Sequence, residues 1–138
     1  MNRKMHARSM GGSRGFSLLE LMIAVTVLGI VTAAAVATYG NSMIKTRRGT
    51  AEACLMEAAQ FMERNYTLNM TYDVDFPELA CADELDGFYE FDFIGVPDAT
   101  TYVVAATPEG DQAKDTQCGT LSIDQAGAKN ANNIDACW

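Results

Sequence analysis

One carboxylate stands alone in a long apolar stretch: Glu20, inside FSLLELMIAVTVLGIVTAAAVATY from Phe16 to Tyr39. An ionisable group in such a run costs about 2.5 to 3.5 kcal/mol at the centre of a membrane helix, less near an interface, so Glu20 needs a partner or a path to polar headgroups. Directly ahead of the run, Gly15-Phe16 places a glycine where an extended backbone could enter a narrow protease site, since glycine lacks a Cβ. Four cysteines complete the set of reactive groups: Cys54, Cys81, Cys118 and Cys137. The single histidine, His6, precedes Gly15, so beyond that point no Ser/His or Cys/His nucleophile pair can form. No Cys-x-x-Cys spacing is present to favour zinc, and Asp83-Glu84-Leu85-Asp86-Gly87 does not meet the oxygen-ligand spacing of a calcium loop. Paired carboxylates lack any supporting motif. The sequence therefore predicts no catalytic residue, no cofactor and no metal.

The elements that would position these groups are set by length and charge. As a helix rising about 1.5 Å per residue, Phe16 to Tyr39 extends roughly 36 Å, enough for a bilayer core of about 30 Å. A secretory signal cut near Ala33-Ala34-Ala35 is the competing reading, but the run exceeds the usual apolar region of about 7 to 15 residues, and Glu20 would be unwelcome in one. The head Met1–Gly15 carries Arg3, Lys4, Arg8 and Arg14 with no acid, which keeps it on the cytoplasmic side and places the chain beyond Tyr39 outside. Taken alone, Glu20 could snorkel to headgroups, and a negative charge near a helix N-terminus suits the macrodipole.

Of the 138 residues, the part beyond Tyr39 suffices for one modest core that needs reinforcement. In an extracytoplasmic setting the four cysteines are read as two disulfides, with three possible connectivities. Neighbouring pairs, Cys54 with Cys81 and Cys118 with Cys137, are the economical choice, each adding roughly 3 to 4 kcal/mol on the chain-entropy model. The formal net charge is −8. Beyond the basic head, Lys45, Arg47, Arg48, Arg64, Lys114 and Lys129 face all 18 Asp and Glu residues, a balance that makes nucleic acid an unlikely partner because phosphate affinity rests on Lys/Arg. Lys45, Arg47 and Arg48 form the basic patch, either an interfacial anchor at the bilayer or a contact with acidic neighbours.

Between Ala51 and Tyr66, Ala51, Cys54, Leu55, Ala58, Phe61, Met62 and Asn65 share one helical face, with Glu52, Glu57, Gln60, Glu63 and Arg64 opposite. No proline interrupts Phe16 to Tyr66, so the apolar and amphipathic parts are expected to form one helix of about 75 Å, with Gly29, Gly40 and Gly49 as soft points. Residues 67–86, with Pro77, are read as a long connection. Gly87–Ile94, Thr100–Ala106 and Gly119–Ile123 are the strand candidates, separated by turns at Gly95-Val96-Pro97-Asp98 and Pro108-Glu109-Gly110-Asp111. Short, consecutive strands predict an antiparallel sheet packed on the helix, an α+β fold.

The basic leader, Gly15, Phe16 and Glu20 together resemble the class III signal of type IV prepilins. The C-terminal part is similar to the PilE-like minor pilins, through Thr101-Tyr102, Ala106-Thr107-Pro108, Cys118-Gly119-Thr120-Leu121 and Cys137-Trp138, as is Glu63-Arg64-Asn65-Tyr66. The resemblance runs from Gly15 to Trp138. It implies the pilin fold, a long N-terminal helix on a small antiparallel sheet with a disulfide-closed C-terminal region. It implies three parts: a leader (1–15) removed by a prepilin peptidase, a transmembrane and filament-core helix (16–39), and a globular head (40–138). Cleavage after Gly15 would free the Phe16 amine for N-methylation, and Glu20 of one subunit would then pair with that ammonium on a neighbour. Implied partners are other major and minor pilins through the helix, the prepilin peptidase, the inner-membrane pilus assembly machinery, and the membrane itself before assembly. The chain would rest in the bacterial inner membrane with its head in the periplasm, then move to the extracellular pilus. The family commonly has a proline where this chain has Ala37, so any helix melting there would fall to Gly40. The loop between Cys118 and Cys137 would be exposed on the fibre, and Trp138 would cap the sheet or touch the next subunit. The function expected is a minor pilin in pilus assembly or initiation, serving twitching motility and adhesion. A major pilin, a type II secretion pseudopilin (against which the paired cysteines argue) and a tip adhesin for DNA or a host are the alternatives.

Overall fold

The computed structural model describes residues 15–138, so the leader reading of Met1–Gly15 lies outside the described residues except at Gly15. The backbone contacts divide the described residues into two units, one up to Thr38 and one of Tyr39–Trp138. Helix α1, Leu18–Asn69, is unbroken through Ala37, Gly40 and Gly49, as the absence of proline allows.

In the first unit nearly every side chain is exposed, from Phe16 and Leu18 through Ile30 and Val36. The polar side chains are turned back on the helix: the Thr26 hydroxyl donates to the carbonyl of Ile23 (2.8 Å) and that of Thr32 to the carbonyl of Leu28 (2.9 Å). Apart from Ser17 and Glu20, what remains outward is hydrocarbon. This segment is long and apolar enough to cross a membrane.

The second unit is built around the later part of α1. Ala51, Cys54, Leu55, Ala58 and Met62 are fully buried, whereas Phe61, expected on the same face, is exposed and Asn65 half-buried. The covering sheet is an antiparallel meander, β1 (Tyr89–Phe93), β2 (Val103–Pro108), β3 (Leu121–Asp124) and β4 (Lys129–Asn130), in the order β1-β2-β3-β4. Tyr89 opposes Pro108, Phe93 opposes Val104, and Ala106 opposes Leu121. Val104, Ala106, Leu121 and Ile123 reach the core from the two middle strands. Leu55 and Met62 are the bulky helix residues of this core, with Ala51, Cys54 and Ala58 filling the space beside them against Val104, Leu121 and Ile123.

Two connections differ from the sequence expectation. The stretch after Asn69 contains a short helix, α2 (Ala80–Glu84), and the Pro108–Asp111 turn opens a 3-10 turn at Gly110–Lys114. A last helical turn, α3 (Ile134–Cys137), and the two-residue β4 are additions to the expected elements. Disulfides join Cys54 to Cys81 and Cys118 to Cys137, with Cα separations of 5.7 and 5.6 Å. The first ties α2 to α1, and the second ties the C-terminus to the connection just ahead of β3.

Gly119 follows Cys118 in the left-handed region at φ 59°, and a Cβ there would lie 2.5 Å from Asn132 Nδ2. That amide is held, since it donates to the Thr116 carbonyl (3.1 Å) while the Asn132 N–H donates to the Cys118 carbonyl (2.9 Å). Gly119→Ala is therefore expected to destabilise the protein by about 2 kcal/mol, from backbone strain plus a displaced hydrogen bond. At Gly127, also left-handed at φ 73° but with open space around it, alanine should cost only the strain, about 1 kcal/mol. Urea midpoints at unchanged slope separate the two; equal losses would show that Asn132 contributes nothing.

Candidate functional site

The residues singled out in the sequence fall into two groups. Gly15, Phe16 and Glu20 lie at the start of the described chain. A side chain at Gly15 would meet nothing within 4 Å, Phe16 is 82 % exposed, and Glu20 sits in the first turn of α1 with its side chain exposed. Local rules explain this arrangement: the helix begins just after Phe16-Ser17, and the Leu21 N–H donates to the Ser17 carbonyl (3.1 Å). The scissile candidate therefore lies outside the helix, and Glu20 stands where the first-turn N–H groups favour negative charge. Between Phe16 and Thr38, Glu20 is the sole ionisable side chain.

The second group holds the head to its helix. Arg48 Nη1 donates to Asp115 Oδ2 (2.9 Å) and lies 2.7 Å from Cys118 Sγ, with its Nε 3.8 Å from Glu52 Oε1. The Arg48 side chain is only 13 % exposed, so it is not a bilayer anchor; the head itself uses it. Glu52 is nonetheless held above the usual carboxylate range, because burial outweighs the attraction of Arg48. That ordering fits the distances, which make Asp115 the main partner. One residue back, the Arg47 guanidinium stacks 3.6 Å above the Phe88 ring. Of the basic patch only Lys45 is left exposed without such a role.

Gln112 completes this clamp. Fully buried, its Nε2 donates to the Ile44 carbonyl (3.0 Å) and to the Tyr89 hydroxyl (3.1 Å), linking the 3-10 turn to α1 and to β1. At the far end of α1, Glu63 accepts from two phenols, Tyr72 (3.0 Å) and Tyr102 (3.2 Å). Tyr72 stacks on Tyr66 at 4.6 Å and meets Tyr102 edge-on at 4.7 Å. Sequence periodicity assigns Glu63 to the solvent face, and no local signal links it to Tyr72 and Tyr102, which are distant in the chain. The turn that makes this possible is set by Met70, in the left-handed conformation at φ 57°, whose N–H donates to the Tyr66 carbonyl (2.8 Å).

Burial and the Glu63 carboxylate push the Tyr72 hydroxyl up to about 12 and raise that of Tyr102 as well. A phenol whose folded pKa is raised contributes stability that is complete below its unfolded value, near 10, and is lost as pH rises through its folded value. Absorbance at 295 nm should therefore show Tyr72 and Tyr102 ionising only above pH of about 11 in the folded protein, with Tyr89, raised by its own burial, also late among the five tyrosines, and urea stability should fall between about pH 10 and 12. Glu63→Gln should move both ionisations down. Unchanged titration in that variant would remove Glu63 from the account.

At the C-terminus, the Trp138 indole N–H donates to the Asn130 carbonyl (3.0 Å), and Lys129 Nζ lies 4.6 Å from its ring. Trp138 thus packs on β4. Among the described residues no group of three or more His, Cys, Asp or Glu side chains could hold a metal ion. What the arrangement offers is a closed head and an uncovered apolar helical segment, surfaces suited to assembly.

Comparisons with known proteins point the same way. Residues 10–36 match the model of the prokaryotic N-terminal methylation motif, and residues 37–122 match that of the type IV minor pilin ComP, described as a DNA uptake sequence receptor. Among solved structures, the chain is similar to a type IV pilin from Shewanella oneidensis, at 31 % identity and a TM-score of 0.54, over 69 % of this chain and 97 % of that one. It is also similar to the non-core minor pilin PilV of Neisseria meningitidis, at 18 % identity and a TM-score of 0.48, over 67 % and 89 %. No curated protein matches the chain.

Proposed function

Because the chain belongs to the type IV pilin family, as a minor pilin and pilus subunit, we propose that its part in the pilus is to enter the fibre through Glu20 and to help initiate or assemble it. The family and fold are those of structural subunits, anchored in the inner membrane before they join an extracellular pilus. In the proposed sequence a prepilin peptidase cuts the Gly15-Phe16 bond, removing the leader (1–15) and with it Arg3, Lys4, Arg8 and Arg14, and the new Phe16 amine is methylated. The helix of 16–39 passes from bilayer to filament, where other major and minor pilins replace lipid around its apolar side chains, and the head of 40–138 remains outside. The observation that supports this reading most is Glu20, the sole charge from Phe16 to Thr38, placed four residues from the amine that the cut would create. In a low-dielectric surround an ammonium of a neighbouring subunit compensates that carboxylate better than headgroups can, since the headgroups are lost on leaving the membrane. Twitching motility and adhesion would come from the fibre that the subunit helps to build.

Glu20→Ala is expected to leave cleavage and N-methylation of Phe16 intact, as read by mass spectrometry of the mature N-terminus, while lowering the amount of subunit in sheared fibres at least tenfold. Normal incorporation would sink the pairing. A mature N-terminus other than Phe16 would sink the processing step by itself.

The matched family model favours one second reading, DNA binding by the head. Its basic side chains speak against it: Arg48 is engaged by Asp115, Lys114 by Asp111 (2.6 Å), Arg47 by Phe88 and Lys129 by Trp138. Lys45 and Arg64 are left to meet phosphates, and two contacts would give a log–log salt slope of only about −2. The expected result is no measurable binding of a labelled DNA duplex by the purified protein even at low salt. Salt-sensitive binding that Lys45→Ala and Arg64→Ala abolish would establish the second reading instead.

A further inference from the structure

Strand β1 is the terminal strand of the sheet and pairs on one side with β2. The Glu109 N–H donates to the Phe88 carbonyl (2.8 Å) and the Ile94 N–H to the Val103 carbonyl (2.9 Å), so even-numbered residues of β1 bond to β2 and Tyr89, Phe91 and Phe93 turn their backbone groups outward. Tyr89 N–H is taken by the Leu85 carbonyl (3.0 Å) and Phe93 N–H by its neighbour Asp92 Oδ1 (2.7 Å). The N–H of Phe91 and the outward carbonyls are left for an added chain.

A trough follows this edge. A cavity of about 570 Å³ lies between Phe76–Leu79 and Tyr89–Phe91, and a second of about 400 Å³ lies between Asp73–Phe76 and Asp92, Phe93 and Val96. Phe76 lines both and meets the Phe93 ring edge-on at 5.2 Å. Beyond it, Val96 is 90 % exposed and Ile94 56 %. The rim is acidic throughout: Glu78, Asp83, Asp86 and Glu90 at the first cavity, Asp73, Asp75 and Asp92 at the second, with no lysine or arginine at either.

We propose that this trough docks an extended polypeptide segment whose lysine or arginine side chains alternate with apolar ones, laid beside β1 as a fifth strand. An apolar floor, an open edge and a one-signed rim fit that chemistry together. Backbone groups of the incoming strand bond at Phe91, apolar side chains meet Phe76, Phe93 and Val96, and the alternate basic side chains reach the carboxylates. A second copy of this head is a poor occupant, because its own edge carries the same acids. Charges on an edge strand commonly serve to block such self-pairing. Here that block selects for a partner of opposite sign.

The test uses the full mature chain in non-ionic detergent and two labelled octapeptides, alternating Lys-Val and alternating Lys-Ser, with binding read by fluorescence anisotropy. The Lys-Val peptide should bind at least tenfold more tightly than Lys-Ser, and a Lys-Val peptide N-methylated on alternate residues should lose at least tenfold. Glu90→Gln with Asp92→Asn should weaken Lys-Val binding about tenfold and flatten its salt dependence, and Val96→Ser should weaken it without changing that dependence. Asp135→Asn, on α3, should change neither. Equal affinity for the two peptides, indifference to N-methylation, an equal loss in Asp135→Asn, or no binding at low salt would each overturn the proposal.

Discussion

A single helix has to satisfy two different apolar surfaces. Along its first part the hydrocarbon is exposed on every side, and along Ala51–Met62 it narrows to one stripe. Leaving a buried-type Leu, Ile or Val in water forgoes about 1.5 to 3 kcal/mol each, so the first part requires lipid or other helices. The stripe needs far less. Four short strands cover it because it is a single narrow stripe, Ala51, Cys54, Leu55, Ala58 and Met62, and the rest of the head can be loops, turns and two disulfides.

Closing that small head depends on a few polar groups aimed at the helix. Arg48, Gln112 and Glu63 each join α1 to segments distant in sequence. Such groups give more definition than stability: removing one partner of a buried ion pair costs about 3 to 5 kcal/mol, yet replacing the whole pair with packed hydrocarbon is often neutral. Their value here is register. Arg48 meets Asp115 only when the 110–118 connection lies over one turn of the helix, which in turn places Cys118 for Cys137.

Legibility in the sequence depends on the range of the forces involved. The helix, the buried set Ala51, Cys54, Leu55, Ala58 and Met62, and the three longer strands are readable because periodicity is a local record of burial. Phe61 departs from its expected burial because a stripe this narrow excludes residues at its margin. β4 and α3 are too short to show periodicity and exist because Asn132, the second disulfide and Trp138 hold them. The basic patch reads as an anchor in sequence since its partners, Asp115 and Phe88, are far along the chain. Glu63 is hidden for the same reason. Gly15, Phe16 and Glu20 are legible as a motif, because they fall within one short linear stretch, residues 10–36, whose pattern does not depend on a head folded around it.

The charge balance gains meaning once those partners are known. Counted in sequence, the residues beyond Gly15 still hold six basic side chains, Lys45, Arg47, Arg48, Arg64, Lys114 and Lys129. Counted in the structure, four of them are occupied by an acid or an aromatic ring of the same head. The field outside the head is therefore more one-signed than composition suggests, since internal pairs cancel locally while most of the carboxylates stay exposed. Heads of like sign repel one another over roughly a Debye length, about 8 Å at physiological salt. Attraction between copies then has to come from the uncovered helical segments, where charge is limited to Glu20, and the acidic surface is left to select partners that are not copies.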